Sequence, residues 1–212
     1  IILHRLLFII VFFISINVFS RPVSYTGGTT FMAMNNGDRI SSHIHYSPKY
    51  FYSLGYRFEY WKDKDYVNHF LQGNYLVERF NNIDSQANIY LKTGIGTSTY
   101  LEGDKDYNKS YFIAGSADWE TQKLYSNYEV RYSDIENIED FILHSGALGF
   151  APYVGNYGDL HTWVLYAFQY NEDKNKNKLT HGPKLRFFKN TNLIEIGINN
   201  RKDLILNLII RY

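Results

Sequence analysis

The sequence has no cysteine and almost no net charge, and both deficits exclude classes of protein. Without cysteine the chain can form neither a disulfide scaffold nor a thiolate metal site, and it cannot carry a cysteine-linked lipid anchor. The formal net charge is only +1, so bulk electrostatics indicates neither a nucleic acid nor an acidic partner. The fold therefore has to rely on packing or on a membrane.

A run long enough for a membrane helix is also missing. Residues 4–5 are basic, residues 6–14 are apolar, and residues 18–20 are small, apolar or β-branched apart from one aromatic. This is the layout of a secretory signal peptide, and the run is shorter than the roughly 20 apolar residues that a spanning helix needs. We predict a cleavable signal peptide at 1–20, followed by a mature domain at 21–212.

Aromatic residues, in contrast, are abundant. They make up 18% of the chain, with 20 Tyr and 15 Phe, which is more than a small soluble core needs. Amphipathic rings in such number suit a protein bordered by two membrane–water interfaces. The mature region keeps no helical period for more than a turn or two, whereas alternation of apolar and polar residues recurs from end to end. This pattern favours β-strands that cross a membrane.

Period-two alternation is clearest at 50–61. The even-numbered positions from Tyr52 to Tyr60 face one way, and the odd-numbered positions from Ser53 to Glu59 face the other. The predicted strands are 29–35, 40–46, 50–61, 66–79, 87–99, 111–120, 123–132, 141–153, 160–171, 179–189, 193–199 and 204–212. The inward face of 141–153 is ambiguous. The alternation predicts that lipid contacts Leu54, Tyr56, Phe58, Ile89, Leu91, Val164, Tyr166, Ile194, Ile196, Leu206 and Leu208.

The connections between these segments fall into two groups. If the N-terminus lies on the inner side of the membrane, mostly short turns share that side. The polar stretches 101–110, 133–139 and 171–178 lie on the opposite side. An even strand number with short periplasmic turns and longer external loops is typical of bacterial outer-membrane barrels. We therefore predict an all-β fold: a transmembrane antiparallel up-and-down β-barrel of about 12 strands, in the outer membrane of a Gram-negative bacterium.

The last nine residues, "LILNLIIRY", alternate and finish on an aromatic. Such a strand resembles the C-terminal recognition signal of outer-membrane barrels, which the barrel-assembly machinery binds. The expected partners are therefore this machinery, through Leu204–Tyr212, together with outer-membrane lipid and lipopolysaccharide; no nucleic acid is expected. A soluble periplasmic β-protein is the alternative.

The charged residues of the predicted lumen face balance in sign. They are Arg57, Glu59, Glu78, Lys92, Asp118, Glu120, Glu129, Arg131, Lys184, Arg186, Glu195 and Arg211. A strongly selective channel would show one sign in excess, so the balance favours a lumen partly filled by ion pairs. Arg186 is expected opposite Glu195 on the neighbouring strand. Twelve strands lie between small filled barrels and wide porins, which predicts a narrow or obstructed pore.

The first hairpin offers a candidate metal site. If Gly37-Asp38 makes a two-residue turn, Met32 stands opposite His43, and Met34 and His45 lie on the same face. Two thioethers and two imidazoles can hold a soft ion such as Cu(I). Methionine is also a gap-filler and histidine a common lumen residue, so an ordinary packing role is the alternative. No cofactor is predicted.

An enzymatic role has to be considered because some twelve-stranded barrels are phospholipases or lipid A deacylases. These need a Ser–His arrangement on the lipid-accessible side. The sequence has one His-x-Ser, at 45–47, and it is predicted to lie at a periplasmic turn. The leading prediction is therefore a non-enzymatic barrel that acts as a narrow or plugged pore or as a structural or binding component. The alternative is an outer-membrane lipid-modifying enzyme.

Several strings resemble those of an uncharacterised family of proteobacterial outer-membrane β-barrel proteins. They are "RPVSY", "MAMNNGD", "HIHYSP", "YSLGYRFEYW", "NNIDSQANIYLKTGIG", "ADWET", "YEVRY" and "APYVGNYGDLHTW". The resemblance covers most of the mature region. It implies a fold and a compartment, and it implies no activity.

Overall fold

The computed structural model describes residues 23–102, 106–156, 158–173 and 177–212, so the predicted signal peptide at 1–20 lies outside the described residues. The strands are β1 (Thr29–Asn36), β2 (Arg39–Lys49), β3 (Tyr52–Trp61), β4 (Tyr66–Asn81), β5 (Ser85–Tyr100), β6 (Asn108–Thr121), β7 (Leu124–Ile135), β8 (Glu139–Phe150), β9 (His161–Asp173), β10 (Lys178–Lys189), β11 (Asn192–Ile198) and β12 (Leu204–Arg211). In the described part of the chain, no helix has the length and hydropathy of a membrane span.

The twelve strands form one closed antiparallel barrel, which confirms the predicted fold. Each strand pairs with its neighbours in the chain, and β1 closes the sheet by pairing with β12. Where the two chain ends meet, Tyr212 N donates to Thr29 O at 2.9 Å and Thr29 N donates to Tyr212 O at 3.0 Å. Because the sheet is closed, it has no open edge whose backbone N–H and C=O groups would lack hydrogen-bond partners in a membrane.

Most strand bounds differ from the predicted ones by one to three residues, and two of these differences concern β3 and β8. β3 begins at Tyr52 because Tyr50 and Phe51 form the turn before it. Phe51 packs against the buried cluster of Val23, Leu76 and Tyr90. Its apolar side chain therefore predicted a strand residue, although Phe51 lies in the turn. β8 ends at Phe150, where the connection to β9 begins.

The outer face of the barrel is apolar. All of the predicted lipid-facing residues lie on this face, together with residues such as Leu71 and Ile95, which are 68% and 65% exposed. On β12, for example, Leu204 and Leu206 are exposed while Ile205 and Asn207 are buried. Exposed aliphatic side chains in such number form the surface that a lipid bilayer covers.

The barrel has two rims. The loop rim comprises the β1–β2, β3–β4, β5–β6, β7–β8, β9–β10 and β11–β12 connections. The terminal rim comprises the other five connections, the start of β1 and the end of β12. On the loop rim, Gly37 adopts φ 87° in the two-residue turn that the sequence predicts.

One lumen prediction is wrong because β4 contains a β-bulge. The pairing of β4 with β5 shifts between Leu76 and Glu78, so Glu78 stands opposite the outward-facing Ile89 and lies on the exposed outer face. Arg79 takes the inward position instead, and its Nε donates to Asn88 Oδ1 at 2.8 Å. A bulge adds one residue and exchanges the faces of the strand beyond it, which simple alternation cannot reveal.

Candidate functional site

Inside the lumen, one buried carboxylate binds three arginines. We call Glu59, Arg39, Arg57 and Arg131 the Glu59 knot. Glu59 is fully buried; Arg57 Nε and Arg131 Nη1 each donate to its Oε1 at 2.6 Å, and Arg131 Nη2 donates to Oε2 at 3.0 Å. Arg39 Nη1 lies 3.0 Å from the same Oε1.

The knot connects strands that do not pair with each other. Arg57 and Glu59 are two residues apart on β3 and therefore share its inward face. Arg131 lies on β7, which three strands separate from β3, so its contact with Glu59 crosses the lumen. The Arg131 guanidinium also lies 4.1 Å from the Phe112 ring centroid, which stabilises part of the excess positive charge.

An apolar cluster lies between the knot and the loop rim. Its buried members are Trp61, Tyr66, Ile135, Phe141 and Leu143. Phe141 and Leu143 belong to the inward row of β8, whose two faces are both apolar, and this is why sequence alone left the orientation of β8 ambiguous. The cluster and the knot together obstruct the part of the lumen between β3 and β8.

Ion pairs cross the opening of the barrel at the loop rim. We call this set the rim clasp; its members are Asp38, Asp63, Lys64, Glu139, Asp173, Lys178 and Arg201. Lys64, on the β3–β4 connection, pairs with Glu139 and, at 2.8 Å, with Asp173 on the opposite wall. Lys178 pairs with Asp38 at 2.8 Å and with Asp63.

The charge state of Lys64 fits this role. Burial disfavours its charged form, but its hydrogen bonds to Asp173 and Glu139 outweigh that effect and raise the pKa of Lys64. The ammonium group therefore stays charged across the physiological range, and the β3–β4 connection is held over the opening.

A cavity of about 1060 Å³ runs alongside the obstructed part. Its walls reach the terminal rim at Asp84, Gly155 and Asn190, and they reach the level of the loop rim at Asn36 and Asn199. The cavity thus extends over almost the whole length of the barrel and ends beneath the rim clasp.

The other predicted lumen charges lie along this interior. Arg186 stands opposite Glu195, as the register prediction requires, and its Nε donates to Glu195 Oε1 at 2.8 Å. Lys184 Nζ and Asn207 Nδ2 donate to Oε2 of the same carboxylate at 2.9 and 2.7 Å. The remaining predicted residues make interior contacts or line the cavity: Lys92 with Glu129, Asp118 with Asn88, Arg211 with Thr30, and Glu120 on the cavity wall.

The first hairpin brings the four predicted metal ligands onto the cavity wall. Met32 pairs with His43, and the rings of His43 and His45 lie 5.7 Å apart between centroids. The buried Arg57 stands directly opposite His43 on β3, so a cation placed there would meet a guanidinium. Metal binding by Met32, Met34, His43 and His45 stays a prediction.

The His-x-Ser sequence lies inside the barrel. His45 and Ser47 are both buried, and Ser47 Oγ accepts a hydrogen bond from Ser24 N at 3.0 Å. The described histidines on the outer face, His69, His144 and His181, each contact a tyrosine hydroxyl. The described residues therefore do not place this serine where a lipid could reach it.

Comparison with known proteins agrees with the architecture. The chain is similar to the KdgM porin, with 12% identity, a TM-score of 0.51, and coverage of 87% of this chain and 98% of that one. It is also similar to LpxR from Salmonella typhimurium, with 9% identity, coverage of 87% and 99%, and a TM-score of 0.49. OccK8 from Pseudomonas aeruginosa matches at 9% identity, coverage of 82% and 57%, and a TM-score of 0.44.

No protein-family model and no curated protein matches the chain. The resemblance to the uncharacterised proteobacterial family therefore stays a prediction, and at 12% identity the likeness to the KdgM porin shows the fold alone. A closed antiparallel barrel with an apolar outer face is the architecture with which proteins span outer membranes. This chain is an outer-membrane β-barrel.

Proposed function

We propose that the protein is a narrow, non-enzymatic pore whose outer mouth is closed by the rim clasp. In this proposal the loop rim faces the exterior and the terminal rim faces the periplasm. Five of the six loop-rim connections carry charged residues among their described positions, which suits an external surface. Leu204–Tyr212 is then the segment by which the assembly machinery recognises the chain.

One observation carries the proposal: the cavity ends where the clasp begins. Asn36 and Asn199 line its upper end, and the neighbouring Asp38 contacts both Lys178 and Arg201. Exposure varies within the clasp: the Lys178 and Asp63 side chains are 21% and 60% exposed, whereas the carboxylates of Asp38, Glu139 and Asp173 are largely buried. The exposed Lys178–Asp63 pair contributes on the order of 1 kcal/mol or less, so separating this pair requires little free energy.

The cavity lining indicates the class of solute. Lys184 and Arg186 share the wall with Glu195, and Lys92 pairs with Glu129. Walls with both signs of charge favour small polar solutes without strong preference for anions or cations. The obstruction by the Glu59 knot excludes large solutes.

Planar-bilayer recording tests the proposal with the Lys178→Gln variant. Lys123→Gln is the matched control because Lys123 is exposed at the terminal rim, away from the clasp. We expect rare, small openings from the wild type and the control, and a severalfold higher open probability from Lys178→Gln. Wild-type openings should also increase with salt, which screens exposed ion pairs.

Two outcomes would overturn the proposal. One is the absence of any conductance in Lys178→Gln and in a double variant that adds Lys64→Gln. The other is a wild type that conducts as steadily as the variants do, because the clasp would then not close the pore.

A further inference from the structure

Three histidines on the outer face make the same contact with a tyrosine. The pairs are Tyr56–His69, Tyr128–His144 and Tyr166–His181, with 2.5, 2.6 and 2.6 Å between the phenol oxygen and Nδ1. In each pair the tyrosine lies on one strand, and the histidine lies two residues from the tyrosine's direct partner on the next strand. The repeated offset brings the two rings close together, with centroids about 6 Å apart.

Two of these pairs belong to one surface, which we call the dyad patch. It consists of Tyr128, His144, Tyr166, Phe168, Tyr170 and His181 on β7 to β10. On β9, Tyr170 stands opposite His144, with ring centroids 6.0 Å apart, and Phe168 stands opposite His181. Tyr128 and Tyr166 are 46% and 54% exposed, so the patch faces the lipid.

The contacts of the imidazoles determine what they offer to that lipid. A phenol that donates its hydrogen to Nδ1 leaves the proton of a neutral imidazole on Nε2. In hydrocarbon an N–H group without an acceptor costs several kcal/mol. With this tautomer, His144 and His181 each present a donor that only the surrounding lipid can satisfy, since no partner for either Nε2 is found among the described residues.

The distance of the patch from the loop rim indicates which hydrogen-bond acceptor of the lipid the histidines meet. His181 is three residues along β10 from Lys178, and His144 is five residues along β8 from Glu139. Charged side chains on the same outer face, Asp140 and Glu172, lie closer to the loop rim. The histidines therefore lie on the membrane side of this charged level, and the acyl-ester carbonyl oxygens are the hydrogen-bond acceptors that a bilayer offers next below its headgroups.

We propose that the dyad patch is a binding site for an ester-linked lipid of the leaflet at the loop rim. His144 and His181 donate from Nε2 to the acyl-ester carbonyl oxygens, while Tyr128 and Tyr166 fix the imidazole tautomer. Phe168 and Tyr170 cover the acyl chains beside them. The inference does not depend on whether the lumen conducts.

Competition between diester and diether phosphatidylethanolamine tests this site. The two lipids share a headgroup, and the diether form lacks the carbonyl oxygens. Native mass spectrometry of the purified barrel in detergent measures how much of each lipid is retained. We expect the wild type to prefer the diester lipid about five- to tenfold, as two intramembrane hydrogen bonds would give.

A double variant, His144→Phe with His181→Phe, should lose the preference because it keeps the rings and removes the donors. The matched control is Tyr111→Phe with Tyr132→Phe, an outer-face tyrosine pair without histidine, and it should keep the preference. Equal retention of both lipids by the wild type would overturn the proposal in favour of headgroup contacts alone. A preference that survives in the double histidine variant would overturn it as well.

Discussion

Replacing Glu59 with Gln removes the single negative charge of the knot and leaves Arg39, Arg57 and Arg131 facing one another. The carboxylate is fully buried, and the side chains of the three arginines are between 1% and 8% exposed, so water cannot replace it. Breaking a buried ion pair by removal of one partner costs about 3–5 kcal/mol. Because one carboxylate serves three arginines, we expect a loss of unfolding free energy at the upper end of this range.

The measurement is urea unfolding of the purified barrel in lipid vesicles, followed by tryptophan fluorescence. Glu102→Gln is the charge-matched control, since Glu102 is exposed beyond β5 and lies outside the knot. It should change the unfolding free energy by less than about 0.5 kcal/mol. If Glu59→Gln folds with a loss below about 1 kcal/mol, the knot is not the buried centre that the contacts indicate.

Three further outcomes are expected. Glu195→Ala should lower the free energy of unfolding by about 1–3 kcal/mol and leave conductance low. The loss should be smaller than for Glu59→Gln because cavity water reaches the partners of Glu195. Strong channels with unchanged unfolding would contradict this. A membrane-impermeant thiol reagent should label neither Leu54→Cys, which faces lipid, nor Arg57→Cys, which is buried, until the barrel is unfolded; labelling of either in the folded barrel would refute the registers. Deletion of 208–212 removes part of the β1–β12 seam and should abolish heat-modifiable barrel, whereas normal barrel would show that this pairing is dispensable.

Local rules predicted much of the barrel. Alternation placed the strands, and two short turns set the registers. Gly37-Asp38 aligns Met32 with His43, and the turn after β10 aligns Arg186 with Glu195. Both pairings can be predicted from residues close in sequence, because a two-residue turn allows only one register of the two strands.

Contacts across the lumen could not be predicted in this way. Glu59 and Arg131 are 72 residues apart and their strands do not pair, so no periodicity connects them. The same holds for Lys178 and Asp38, which meet only because the barrel closes. The face of Glu78 was missed because the bulge in β4 leaves no signal in the alternation.

The outer-face dyads are an intermediate case. Once the register of β7 with β8 is known, Tyr128 and His144 are diagonal neighbours, within reach of each other on one face. The sequence therefore contained the signal, but an aromatic-rich strand offers many such diagonals, and the hydrogen bond distinguishes this one only in the structure.

The reactivity of a cysteine at Asn36 measures whether the rim clasp closes the barrel. Asn36 lines the upper end of the cavity beneath the rim clasp, and the chain has no other cysteine to give background. With an impermeant maleimide, Asn36→Cys should remain unlabelled in intact cells and become labelled in opened membranes, which expose the terminal rim. Adding Lys178→Gln to Asn36→Cys should permit labelling in intact cells. The control Lys202→Cys, exposed on the loop rim, should be labelled in intact cells and in opened membranes. If Asn36→Cys reacts in intact cells as fast as Lys202→Cys without the second substitution, the clasp does not close the barrel.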